Sequence, residues 1–220
     1  MKPIRIKKQT RIISTLVVLI LTNILIGVPL KAQENVQLII GSGTDLSLEG
    51  TSNVHDWSCE VKEITGKGAF VDAILKGEKI PDNPIKDVHL TIPVKSIKSG
   101  KSKMDDIMYD ALKAEEHPTI HYNLVSASVV REEGNEFTLH TKGKLTVAGV
   151  TRQIEHQVQG KKIDGHSVKF TGIKTLQMSS FNVEPPKALF GAIRSGNAVD
   201  VQFNAVFKKV EHTTQVPIDQ

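Results

Sequence analysis

The chain has 220 residues and a formal charge of +4, from 28 Lys and Arg against 24 Asp and Glu. Six of those basic residues precede residue 33, where no acidic residue stands, so the remainder carries 22 against 24, a net charge of −2. That balance excludes a basic nucleic-acid footprint, and the single cysteine, Cys59, excludes an intramolecular disulfide framework and a CxxC metal site.

Lys2, Arg5, Lys7, Lys8 and Arg11 lead into an almost wholly apolar run over 12–28. A positive start followed by an apolar stretch predicts a secretory signal peptide over 1–33, and hence a periplasmic or secreted mature protein. The competing reading is an uncleaved anchor, because 17 residues sit at the lower edge of what crosses a bilayer. No cysteine closes the run, which argues against a lipoprotein anchor. The rest divides into one domain over 34–210 and a polar tail over 211–220.

Beyond the leader the dominant signal has period 2. Val88, Leu90, Ile92 and Val94 alternate with polar neighbours, as do Ile120, Tyr122 and Leu124. From Glu136 to Gly149 the odd positions Phe137, Leu139, Leu145 and Val147 are apolar, while His140, Lys142 and Lys144 fall between them. Ile154, His156 and Val158 continue the pattern, and Val199, Val201, Phe203, Ala205 and Phe207 close it. Such alternation predicts half-buried antiparallel strands. Turn chemistry separates them at Pro81 to Pro84, Glu132 to Asn135, Gly160 to Gly165 and Ser195 to Asn197.

One segment changes period. Met104, Ile107, Met108, Ala111 and Leu112 fall at i, i+3, i+4, i+7 and i+8, the stripe of a single amphipathic helix over Lys103–Leu112. Ser102 and Asp105 offer a capping box, and His117-Pro118 ends the element. A further helical turn is expected near Lys187 to Phe190. An antiparallel sheet of about eight strands must close on itself or fold into a sandwich to manage its edges. Closure is the preferred reading, although a sandwich predicts the same alternation.

Five ordered blocks carry a resemblance: Gly50-Thr51-Ser52-Asn53-Val54-His55-Asp56-Trp57; Ile92-Pro93-Val94 with Lys103-Met104-Asp105; Ala111 to Ala114 with His117 to Ile120; Gly143 to Thr151; and Pro185 to Gly191 with Val199 to Phe207. Together they resemble the YceI-like family of secreted lipid-binding proteins, over nearly all of residues 36–208. The His55-Asp56-Trp57 form looks like the version found in many Bacteroidetes-type relatives. The resemblance implies an all-β, lipocalin-like antiparallel barrel with an elongated apolar tunnel, occupied in characterised relatives by a polyisoprenoid or another amphiphilic chain. It implies no catalytic residues.

His55 and Asp56 are adjacent, so in a strand they point to opposite faces and do not serve one substrate. Among the eight histidines, His117 and His121 flank Pro118, which breaks the helical i, i+4 clamp a zinc site uses. His140 and His156 sit on neighbouring segments and read as a facing pair on a solvent face. No metal is expected. Cys59 reads as packing.

Lys95, Lys98, Lys101 and Lys103 cluster before the helix. Of these, Lys98, Lys101 and Lys103 read either as a rim for a phosphate or carboxylate headgroup or as a solvated loop. The apolar faces nominate Leu90, Ile92, Tyr122, Leu124, Phe137, Leu139, Phe203 and Phe207 as ligand-lining, with Met104, Met108 and Leu112 from the helix. Aromatic residues make up only 5% of the chain, which leaves a slim aliphatic interior and more room. The expected function is to carry or sequester a small amphiphilic lipid, such as a polyisoprenoid, an isoprenoid quinone or a fatty acid-like chain. No cofactor is expected besides that bound lipid, no nucleic acid partner is expected, and membrane contact would be transient, for ligand exchange. A solid barrel acting as an interaction module is the alternative, with a small hydrolase or isomerase behind it.

Overall fold

The computed structural model describes residues 34–210; the expected signal peptide and polar tail lie outside the described residues. Strands β1 (Asn35–Ile40), β2 (Asp45–Ser52), β3 (Trp57–Val61) and β4 (Thr65–Val71) precede helix α1 (Ala73–Lys76). Strands β5 (Ile85–Pro93) and β6 (Ile97–Lys98) lead to helix α2 (Ser102–Ala111). Four long strands follow: β7 (Thr119–Glu133), β8 (Glu136–Val147), β9 (Val150–Asp164) and β10 (Ser167–Gln177). The short β11 (Lys187–Ala188) and the long β12 (Ile193–Lys209) complete the chain.

The sheet runs β1-β4-β5-β7-β8-β9-β10-β12, and β12 pairs back onto β1 through Leu38↔Lys209 and Ile40↔Phe207. All pairings are antiparallel, and they close an eight-strand barrel of lipocalin-like form. Closure removes the free edges that a sheet this long would otherwise expose. The chain turns sharply between β1 and β2, where Gly43 holds φ 88°. Thr44 fixes that corner, its Oγ1 donating to Gly41 O at 2.9 Å and accepting from Val206 N at 3.0 Å. One long β12 therefore pairs with β1 at one end of the barrel and with β2 at the other, where β3 and β6 extend the wall.

The two ends are built differently. At one end the interior is filled by Leu38, Phe70, Leu139, Val168, Phe170 and Phe207, with rings such as Phe70 and Phe207 at 5.1 Å between centroids. Helix α1 plugs this end with Ile74 and Leu75. Only one helix was expected; α1 has four residues, too few to show a period, and it ends at Gly77 with φ 71°. Lys162, almost wholly buried, seals the same end by donating to Glu132 Oε1 at 3.1 Å and Glu78 O at 3.2 Å.

At the other end β9 and β10 part. Their ladder runs only from Ser167↔Asp164 to Thr171↔Gln159, after which β10 pairs with β12 alone. Helix α2 lies at this end, within one residue of its expected bounds. Its capping differs from expectation: Lys101 stands at the N-cap, and the Asp105 carboxylate turns back to Ser99, accepting from its N at 2.8 Å and its Oγ at 2.6 Å. Burial works against the charge on Asp105, but the Ser99 hydrogen bonds outweigh it and hold the carboxyl below its ordinary range.

Candidate functional site: an apolar cavity with a basic mouth

Above the packed floor the barrel is hollow. The cavity has a volume of about 620 Å³, within the range of sites that hold small molecules, roughly 300–1,000 Å³. Its walls come from inward positions of almost every strand: Leu46 and Leu48 on β2, Ile92 on β5, Ile120 on β7, Leu145 on β8, Ile154 on β9, Leu176 on β10, and Val199 and Val201 on β12. The period-2 pattern produces this directly, because each strand turns alternate residues to the lumen.

Of the residues nominated from sequence, Ile92, Met104, Met108, Leu112, Tyr122, Leu124, Leu139, Phe203 and Phe207 border the cavity. Leu139 and Phe207 do so as its floor, since both are buried in the packed core. Leu90 and Phe137 do not reach the cavity. Both point inward, but Phe137 stands in the filled end, and Leu90, between the cavity-lining Val88 and Ile92 on β5, packs against Gly66 of the neighbouring strand. Alternation assigns a face; depth along the barrel and cross-strand packing decide the rest.

Three aromatic rings that border the cavity lie flat on its wall, each over a glycine of the neighbouring strand. A Cβ at Gly50 would meet Trp57 at 2.2 Å, one at Gly143 would meet Tyr122 at 2.3 Å, and one at Gly172 would meet Phe203 at 2.7 Å. The missing side chains are what let these rings lie back from the lumen. Trp57 is fixed there, its Nε1 donating to Thr51 O and Ser195 Oγ at 3.0 Å each.

The ionisable groups that border the cavity are few. Lys101 and Lys103 stand at the mouth, joined by Lys187 and His55. Lys98 does not; it donates to Tyr109 Oη at 2.7 Å and lies over that ring. Lys95 pairs with Glu115 at 2.5 Å, outside the mouth. Lys187 had no flanking basic run to mark it. No carboxylate is among the described residues that line the cavity.

Deeper in, Tyr122, Thr141 and His156 form a polar spot. Thr141 Oγ1 donates to His156 O at 3.1 Å. Burial pushes the Tyr122 hydroxyl up to about 12 against the opposing effect of its Thr141 hydrogen bond. Burial, then the charges of Lys174 and His140, hold His156 below its ordinary value. This corrects the facing histidine pair: His140 stands opposite Gln157 and His156 opposite Thr141, so the two rings point to opposite faces. His140 Nε2 lies 3.4 Å from Glu155 outside the barrel, while His156 stacks edge-on to Phe203 inside. Lys174 bridges the gap between the parted strands, donating to Glu155 O at 2.9 Å.

His55 and Asp56 form no acid–base pair. Ser52 Oγ organises their turn, accepting from Val54 N and His55 N and donating to His55 O at 2.7 Å. Cys59 borders the cavity as a buried thiol, pushed up to about 11 by burial and then by Asp105. Among the described residues, no three of His, Cys, Asp and Glu converge as metal ligands.

A closed antiparallel barrel, packed at one end and hollow at the other, defines a lipocalin-like class of protein. The YceI-like domain matches residues 41–207, and the chain belongs to that family. Solved structures share the fold. BcnA of Burkholderia cenocepacia is similar at 18% identity and a TM-score of 0.59, over 74% of this chain and 95% of that one. A polyisoprenoid binding domain from Saccharophagus degradans, implicated in plant cell wall breakdown, aligns at 11% identity and a TM-score of 0.60, over 80% and 100%. The Campylobacter jejuni YceI protein aligns at 17% identity and a TM-score of 0.52, over 70% and 85%. No protein of curated function matches the chain.

Proposed function

We propose that the chain is a periplasmic or secreted binding protein that carries or sequesters one amphiphilic lipid, its apolar chain in the cavity and its anionic headgroup at the mouth. The observation that carries this reading is the cavity's composition: aliphatic and aromatic walls, with basic groups and no carboxylate on its border. Each buried methylene contributes about 0.8 kcal/mol, so ten contribute roughly 8 kcal/mol before immobilisation costs. Walls without a polar reading frame select for length and width, which suits polyisoprenoid, isoprenoid quinone and fatty acid-like chains alike. Membership in the YceI-like family and the fold shared with a polyisoprenoid binding domain support the same class of ligand.

Catalysis finds little support in the same groups. A nucleophile or general base needs a partner that activates it. Cys59 is held protonated, and the inward His156 has threonine and a phenylalanine ring beside it.

Organic extraction of gently purified protein, followed by mass spectrometry, should release a long-chain amphiphile. The delipidated protein should then take up a fluorescent long-chain carboxylate or phosphate more tightly than a neutral alcohol of equal length. Release of no chain together with uptake of none would replace the carrier by a barrel that serves as an interaction module.

A further inference from the structure

Large apolar side chains exposed on the outer wall stand mostly apart, as Ile39 and Ile173 do, but three gather at the mouth. Val54 at the β2–β3 turn is 60% exposed, Leu189 is 62% exposed, and Phe190 is fully exposed. They belong to two loops tied together by Asn53. Its Nδ2 donates to Ala192 O at 2.9 Å, its N donates to Arg194 O at 3.1 Å, and its Oδ1 accepts from Arg194 N at 2.8 Å.

The backbone of the second loop is strained. Leu189, Phe190 and Gly191 hold φ of 48°, 56° and 86° in succession. Left-handed backbone is uncommon for bulky side chains and persists where its surroundings impose it. Here β11 pairs with β12 on one side, Arg194 Nε donates to Gly191 O at 2.9 Å, and Asn53 clamps the other side. At Phe190 the strain gains no contact within the fold, because that ring touches water on every side. Its effect is to hold Phe190 outward beside the opening, next to Leu189 on the cavity border.

We propose that this face docks on an anionic lipid bilayer, with Phe190, Leu189 and Val54 entering the interface while Lys101, Lys103 and Lys187 meet lipid headgroups. Charge complementarity names the occupant: the lysines and His55 that border the cavity mouth outnumber the acidic groups beside them, which are Asp56 in the Val54 turn, Asp106 one helical turn from Lys103, and Glu184, paired with Lys187 at 2.5 Å. Size points the same way. Three side chains fall far short of the roughly 800 Å² per partner that a stable protein interface buries, whereas an apolar wedge backed by lysines suits an interface of headgroups and acyl chains. Docked this way, the mouth would face the layer in which an amphiphile resides. The inference goes beyond the carrier reading and does not depend on what fills the cavity.

The test is sedimentation of the purified protein with vesicles of equal parts phosphatidylglycerol and phosphatidylcholine, compared with phosphatidylcholine alone. Wild type should bind the anionic vesicles at least tenfold better, and loss of one mouth lysine should weaken binding about fivefold. Val54→Asp/Phe190→Asp should abolish binding, while Ile173→Asp on the outer wall should leave it intact. A solvatochromic label at Phe190→Cys should shift to the blue on anionic vesicles, and the same label at Ile173→Cys should not. Unchanged uptake of a free fluorescent amphiphile by Val54→Asp/Phe190→Asp, neither of which lines the cavity, confirms folding and separates docking from cargo binding. Vesicle binding by the double variant equal to wild type, or a label at 190 that stays in water, overturns the proposal.

Discussion

Gly143→Ala is the smallest change that should close the cavity without touching its floor. The new Cβ falls 2.3 Å from Tyr122 Cε2 and 2.4 Å from its Cζ and Oη. Ordinary contact needs about 3.5 Å, so the ring must retreat by roughly 1.2 Å or more. Strands β7 and β8 lie behind it, and the lumen is the open direction. Moving the ring gives up the hydrogen bond to Thr141, about 1 kcal/mol. Alanine in place of a strand glycine returns about 0.5–1 kcal/mol. Stability of the delipidated protein should therefore stay within about 1 kcal/mol of wild type.

Binding should fare worse. Moved by about 1.2 Å, the ring takes the place of about two methylenes of ligand, roughly 1.6 kcal/mol, or somewhat more than tenfold in affinity. Denaturant unfolding reads the first quantity and titration with a long-chain fluorescent amphiphile reads the second. In a Tyr122→Ala background the added methyl has no ring to push, so the loss of affinity should vanish, and this non-additivity is the diagnostic. Wild-type affinity in Gly143→Ala, or an equal loss with and without the Tyr122 ring, would refute the reasoning.

Other regions give independent checks. His156 has a folded pKa below its ordinary value, so the stability it permits is present above the unfolded value near 6.5 and is lost as pH falls through the folded one; His156→Gln should flatten unfolding midpoints between pH 8 and 5. Cys59, pushed up to about 11, should react with a small maleimide at pH 8 about 200-fold more slowly than a free thiol of pKa near 8.5, and at the ordinary rate once unfolded. Lys162→Ala leaves Glu132 without its buried partner and should cost about 3 kcal/mol in chemical unfolding, while amphiphile affinity, set at the other end of the barrel, should hold.

What was legible in the sequence follows from what a one-dimensional pattern encodes. Period 2 reports which face a residue takes, and it placed Leu139, Phe203 and Ile92 inward. It contains nothing about depth, so Leu139 in the floor and Phe203 on the open wall read alike, and Phe137 was assigned to a lumen it does not reach. The same pattern put His156 in line with Ile154 and Val158, yet its polar sequence neighbours suggested a wet face; the periodicity was the better guide. The lysine run before α2 was visible as charge, but Lys98 is drawn away by Tyr109 through a contact eleven residues distant. The glycines under Trp57, Tyr122 and Phe203 carry no sign of that role in the sequence, because only cross-strand register shows what lies over them.

The uneven filling of the barrel ties its stability to its contents. A dry void of this volume would cost about 15 kcal/mol at roughly 24 cal/mol per Å³, as much as the whole stability of an ordinary domain. The packed half, where Phe70, Phe137, Phe170 and Phe207 interlock at centroid distances of 5.1–6.1 Å, lets the chain fold around a hollow it does not fill itself. Water entering through the mouth relieves the void but wets an apolar wall. A hydrocarbon chain relieves both, and binding the folded state alone, it adds stability that grows with the logarithm of its concentration over its Kd. Such a chain can descend only to Leu139 and Phe207, so the height of that floor sets the longest tail that is fully covered, and any excess length must emerge among the lysines at the mouth.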